Sequence, residues 1–158
     1  MDTRELHNQV FDLVKPSIDM LLEKYAKRKH YHIILMDPTK KPWDCSFEEA
    51  ILKEFSQGRD NWEHKYYAIA RSKAKQAWRN QQANIITQTL APATLLPGDT
   101  VYFGSFEYYG VIVACSGVEA YFDMLISGWI ALAYQQLSQH CLVKHKAAYP
   151  DENFLLLP

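Results

Sequence analysis

The stretch Tyr108–Leu137, YYGVIVACSGVEAYFDMLISGWIALAYQQL, decides how the rest of the chain is read. Gly110 to Cys115 is a short apolar run rich in β-branched residues, the composition of a buried strand. It breaks at Ser116-Gly117. Ser116 is a good N-cap and Glu119 stands three residues later, where a capping box places its acidic partner, so the spacing predicts a strand turning sharply into a helix. The helix is expected from about Val118 to Ser138, burying Phe122, Leu125, Ile126, Trp129, Ala133 and Leu137.

Working outward, the segment before this unit reads as a hairpin. Thr100 to Phe103 and Phe106 to Cys115 are expected as antiparallel strands, with the reversal at Gly104-Ser105 or a bulge at Glu107. Ala83 to Pro97 shows no regular period. Upstream, Trp62, Tyr66, Ile69, Ala70, Lys73, Ala74, Ala77 and Trp78 trace one face of a helix reaching about Gln82, opened by Asp60 and Glu63. The small residues on that face allow a sheet or another helix to approach closely.

Ser46 with Glu49 predicts a further helix through about Phe55, ending before Gly58. A short edge strand is expected around Trp43, and Tyr31 to Met36 reads as the first strand, closed by the turn pair Asp37-Pro38. From Thr3 to about Lys29 the apolar residues recur at helical spacing. Pro16 interrupts them, which predicts a bend near Lys15 or two helices in tandem. The basic segment Lys24–Lys29 suits the negative pole of that helix, or alternatively a nucleic-acid patch.

At 158 residues the chain is the size of one domain, 1–158, and the pattern of elements predicts an α+β (α/β layered) fold with an antiparallel sheet of three to five strands flanked by long helices. A net charge of −1 argues against nucleic-acid binding through a basic field. No window has the unbroken apolar run of a membrane span. Met1–Asp12 lacks the apolar core of a secretory signal, and Cys45, Cys115 and Cys141 are odd in number and widely spaced; together these lead us to expect a cytoplasmic address. Cys115 reads as a small buried hydrophobe.

No phosphate loop, dinucleotide fingerprint or metalloprotease motif is present. Ser116-Gly117 at a helix start has backbone N–H groups that either cap or hold an anion. His30 and His32 alternate on a strand, the spacing of a metal pair without a nameable third ligand, or else a solvated strand start. His64, beside Lys65, Tyr66 and Tyr67, is either an axial haem ligand in an aromatic pocket or a surface residue. Lys73 falls on an otherwise apolar face and must either reach outward to solvent along its stem or meet a carboxylate such as Asp37 or Asp123, or a ligand anion. The C-terminal Phe154–Leu157 run either docks on its own domain or is offered to a second subunit.

Three blocks together resemble the small domains named for GlcG and the haem-binding protein HbpS, also found as the C-terminal part of some PduO-type proteins. They are HIILMD at His32 to Asp37, ARSKAKQA at Ala70 to Ala77, and GVIVACSGVEAYFD at Gly110 to Asp123, the last with an aspartate seven residues after the serine. Against that pattern Pro38 to Pro42 replace a glycine-rich turn, Pro97-Gly98-Asp99 replace Gly-Gly-x-Pro, Ala114-Cys115 replace Gly-Val, and about 42–60 reads as an inserted segment. The resemblance implies a layered α/β fold, assembly as homodimers or larger rings, and, in some relatives, haem or corrinoid-related ligands.

The expected function is therefore a non-enzymatic, self-associating domain that binds a small planar or anionic ligand, with haem as a candidate. Its expected site comprises His64, Tyr67, Lys73, Ser116 and Gly117. An oligomeric scaffold without a ligand, and an enzyme using Asp37, Lys73 and Asp123, are the rival expectations.

Overall fold

The computed structural model describes residues 5–155. In chain order its elements are α1 (Leu6–Lys24), β1 (Tyr31–Met36), the short α2 (Phe47–Ala50), β2 (Ile51–Gln57), α3 (Tyr66–Asn80), α4 (Asn84–Leu90), β3 (Ser105–Tyr108), β4 (Val111–Ser116) and α5 (Ala120–Ala148). The strands form one antiparallel sheet in the order β2-β1-β4-β3. The protein is thus an α+β domain in three layers.

The two central strands explain the layering. Both β1 and β4 are buried at every position, so the middle of the sheet is covered on both faces. Tyr31, Ile33, Leu35, Val111, Val113 and Cys115 point to one side and pack against α1 and α5. Ile34, Met36, Ile112 and Ala114 point to the other and meet Ala70, Ala74, Ala77 and Trp78 of α3. With alanine methyls at three of these four α3 positions, α3 and the sheet lie close together, as the alanine spacing predicts.

Several expectations are corrected. α1 runs unbroken through Pro16 and not as two helices, because Leu6, Val10 and Val14 before the proline and Ile18, Leu21 and Leu22 after it are buried on one continuous face. One missing N–H is a small loss against that burial. The amine of Lys29 caps the end of α1, donating to the carbonyls of Leu22, Glu23 and Ala26, which is the helix-pole role read for the basic segment.

The Ser46 box forms, with Ser46 Oγ accepting from Glu49 N and bonding Glu49 Oε1, yet its helix lasts only one turn. Ile51–Gln57 then pairs with β1 from Met36↔Ile51 to Tyr31↔Gln57. The open edge of β1 offers a row of backbone partners that outweighs a local cap, and no strand forms at Trp43. The segment around 42–60 therefore supplies one of the two edge strands of the sheet.

α3 starts at Tyr66 with no side-chain cap, so Asp60 and Glu63 do not open it, and His64 lies before the helix. Its end is set by Gln81 in the left-handed conformation. α4 lies within the segment read as irregular. Asn84 anchors it by donating to Lys73 O and Gln76 Oε1 while exchanging bonds with Ser105.

The hairpin reverses at Tyr109-Gly110 and not at Gly104-Ser105. Both residues have positive φ, 45° and 85°, the signature of a type I′ turn. Thr100–Phe103 is not a strand. α5 extends ten residues beyond the expected Ser138, and Leu125 on it is exposed. Among the described residues no helix is long and apolar enough to cross a membrane. Phe154 is exposed, Leu155 packs against the core, and the remaining leucines of that run lie outside the described residues.

Candidate functional site

Where β4 ends, the chain passes Gly117 and Val118 and enters α5 at Ala120, with Glu119 as N-cap. Ser116 is the last residue of β4 and not the helix cap, which corrects the capping-box reading. The turn is tight. A Cβ on Gly117, whose φ is +144°, would collide with the His30 carbonyl oxygen and lie 2.7 Å from Tyr31 Cα.

Into this corner α3 sends Lys73 and α5 sends Asp123, each about 2% exposed. Lys73 Nζ donates to Asp123 Oδ2 at 3.0 Å and to Cys115 O at 2.9 Å, while Asp123 Oδ1 accepts from Val118 N at 3.2 Å. The ammonium has three protons, and these bonds use two. Gly104 closes the corner from the start of β3: a Cβ there would lie 2.7 Å from both Lys73 Nζ and Cys115 O. Burial pushes the Asp123 carboxyl up to about 6, with Lys73 and the Val118 N–H pulling it down.

Beside the pair opens a cavity of about 360 Å³, whose wall includes Arg28, His64, Tyr66, Lys73, Ser116 and Glu119. Arg28 is fixed by donating from Nε to Gly117 O at 2.9 Å, and its guanidinium lies 5.7 Å from the centre of the Tyr66 ring. Glu119 Oε1 accepts from Lys27 N at 3.2 Å. Two buried polar atoms of this wall have no hydrogen-bond partner: the hydroxyl of Tyr66, itself only 4% exposed, and Glu119 Oε2. Burial also raises the Tyr66 phenol above its ordinary value, so at neutral pH it is a hydrogen-bond donor.

Of the five expected site residues, His64, Lys73, Ser116 and Gly117 meet at this cavity. Tyr67 does not. One position along α3, it turns to the outer surface, where its ring lies 5.3 Å from His32 and under the guanidinium of Arg71. The charge cluster of Asp37, Lys73 and Asp123 does not assemble: Asp37, at the far end of β1, accepts from the backbone and hydroxyl of Thr39. Tyr66, Arg28 and Glu119 are members that the sequence did not flag. Tyr66 lies on the same helical face as Lys73, seven residues away, and that spacing is the signal that could have found it.

His32 is also corrected. It is buried and bonded to Ser56 and Glu54, not a solvated strand start. Among the described residues no cluster of side chains is suited to hold a metal ion.

These features define a three-layer α+β domain with a cavity of mixed charged and apolar lining at a strand-to-helix corner. No family model, curated protein or solved structure matches the chain.

Proposed function

We propose that the protein is a small-ligand-binding domain and that the cavity beside Lys73 and Asp123 is its site. The observation that carries this reading is the Tyr66 hydroxyl, buried in the cavity wall without a partner. Leaving such a group unsatisfied costs on the order of 1–3 kcal/mol, and a ligand acceptor removes that cost. The third proton of Lys73 and the guanidinium of Arg28 favour an acceptor that is anionic, and Glu119 Oε2 awaits a donor. A compact molecule with a carboxylate at one end and an amino or hydroxyl group near it matches this set.

Haemin is the second candidate, favoured by His64 at the cavity wall with its ring 5.8 Å from that of Tyr66. Arg28, Lys73 and Glu119 among the apolar groups of the wall favour the compact polar ligand, because a macrocycle seeks a wall that is flat and apolar throughout. Calorimetric titration with a panel of amino and hydroxy acids, alongside haemin followed at its Soret band, tests the reading. Binding of a panel member weakened about tenfold or more by Tyr66→Phe is expected. A panel and haemin that all fail to bind would overturn it, and a Soret shift abolished by His64→Ala would replace the first ligand class with the second.

The same proposal includes self-association through the groove between α1 and α5, lined by Met20, Leu21, Tyr25, Phe122, Leu125 and Trp129. Light scattering on Met20→Glu should show a smaller species than the parent. A parent that stays monomeric on concentration removes this part.

A further inference from the structure

On the sheet face that carries α3, three side chains outside the cavity wall form a chain of hydrogen bonds. Register places His32 of β1 opposite Ser56 of β2 and Ile34 opposite Glu54, so Ser56, His32 and Glu54 share one face. Ser56 Oγ lies 2.5 Å from His32 Nδ1, and His32 Nε2 lies 3.0 Å from Glu54 Oε1. Glu54 is held in place by Arg71, which donates from Nε at 3.0 Å and from Nη2 at 2.9 Å. Ser56 is exposed while His32 is 3% exposed.

We propose that Ser56, His32 and Glu54 form a nucleophilic relay that hydrolyses small, unhindered esters. The roles follow from the bonds. A carboxylate accepts only, so Nε2 carries the proton donated to Glu54, and Nδ1 is left as the acceptor for the Ser56 hydroxyl. Compared with the familiar serine triad, the two ring nitrogens exchange partners while the order of nucleophile, base and orienting carboxylate is kept. Burial lowers the His32 pKa, as do Arg59 and Arg71, against the opposing pull of Glu54, so the ring is neutral and able to accept at neutral pH.

In the first step Ser56 Oγ attacks the carbonyl carbon and its proton passes to His32 Nδ1. The bond to the alcohol oxygen breaks and the alcohol leaves with that proton. Water then attacks the acyl-Ser56, giving its proton to His32, which returns it to Ser56 Oγ as the acid departs. Ester and water become acid and alcohol. β2 is an edge strand, so alternate backbone N–H groups along it point away from β1 and are left outside the ladder. Trp62 and Tyr67 flank the His32 ring, and Arg59 lies over both, which gives an aromatic wall beside the nucleophile.

The test uses the intact protein, a fluorophosphonate and p-nitrophenyl acetate. One phosphonyl adduct per chain is expected, mapped to Ser56 by peptide mass, with fluoride displaced. Ser56→Ala should lose the adduct and the nitrophenolate release above background, and His32→Gln should slow both about 100-fold. Because Ser56 is exposed, Ser56→Ala keeps the fold, checked by circular dichroism, and decides the matter without the buried variant. No adduct on Ser56, or equal ester hydrolysis by Ser56→Ala, would overturn the proposal.

Discussion

Replacing Lys73 by Met probes the corner on which the candidate site rests. Even with the ammonium at 3.0 Å, burial holds the Asp123 carboxyl at about 6 against its ordinary 3.8. That rise means the ionised carboxylate already costs the folded state about 3 kcal/mol at pH 7. The sign follows directly. A carboxyl raised on folding stabilises below its unfolded value, and that stability is lost as pH climbs through the folded value.

Without Lys73 the carboxyl rises further and stays protonated at neutral pH. From pH 6 upward the wild-type cost levels off, whereas the variant's grows by about 1.4 kcal/mol per pH unit. The loss of the charged hydrogen bond to Cys115 O adds about 1.5–3 kcal/mol at every pH. Urea denaturation of both proteins at pH 5, 6, 7 and 8 measures the difference. We expect a gap at pH 5 set by the Cys115 bond alone, widening by about 3 kcal/mol at pH 8. A gap that is flat from pH 6 to pH 8 would refute the account of Asp123 as a carboxylate held ionised by Lys73.

Other perturbations follow from the same geometry. Asp123→Asn removes the titration, so the wild type should lose about 2 kcal/mol relative to the variant between pH 4 and pH 6 in the same assay. Gly104→Ala places a methyl 2.7 Å from Lys73 Nζ and from a backbone carbonyl, and should cost about 1–3 kcal/mol by urea denaturation. Tyr109 occupies a turn position at φ 45°, where Asn is at ease, so Tyr109→Asn should stabilise by about 0.5–1 kcal/mol and raise the melting temperature by a few degrees.

How much of this was legible beforehand depends on the reach of each signal. Tyr31–Met36 and Val111–Ser116 announce themselves because central strands buried on both faces must be continuously apolar. The alanines of α3 announce a close contact for a similar reason, and Lys73 among them calls for either an outward-reaching stem or a buried anionic partner. Ile51–Gln57 does not. It follows a genuine cap, and it becomes a strand only because β1 presents an open edge beside it. Asn84–Leu90 is likewise a helix through Asn84, whose partners Lys73, Gln76 and Ser105 come from two other elements.

Local patterns alone settle the α+β class, both central strands, the face of α3 and the choice at Lys73 between reaching solvent and meeting an anion. Each of these is written in residues a few positions apart. The packed fold buries Lys73 against Asp123 and not Asp37, sets Tyr66 and Glu119 in the wall of one cavity with one unpaired oxygen on each, and brings Ser56 and Glu54 to bear on His32. The physical reason is one of distance along the chain. Lys73 and Asp123 are 50 residues apart, and His32 is 24 from Ser56. Periodicity and caps act within a turn or two, whereas strand register and the packing of helices across a sheet choose which distant side chains meet.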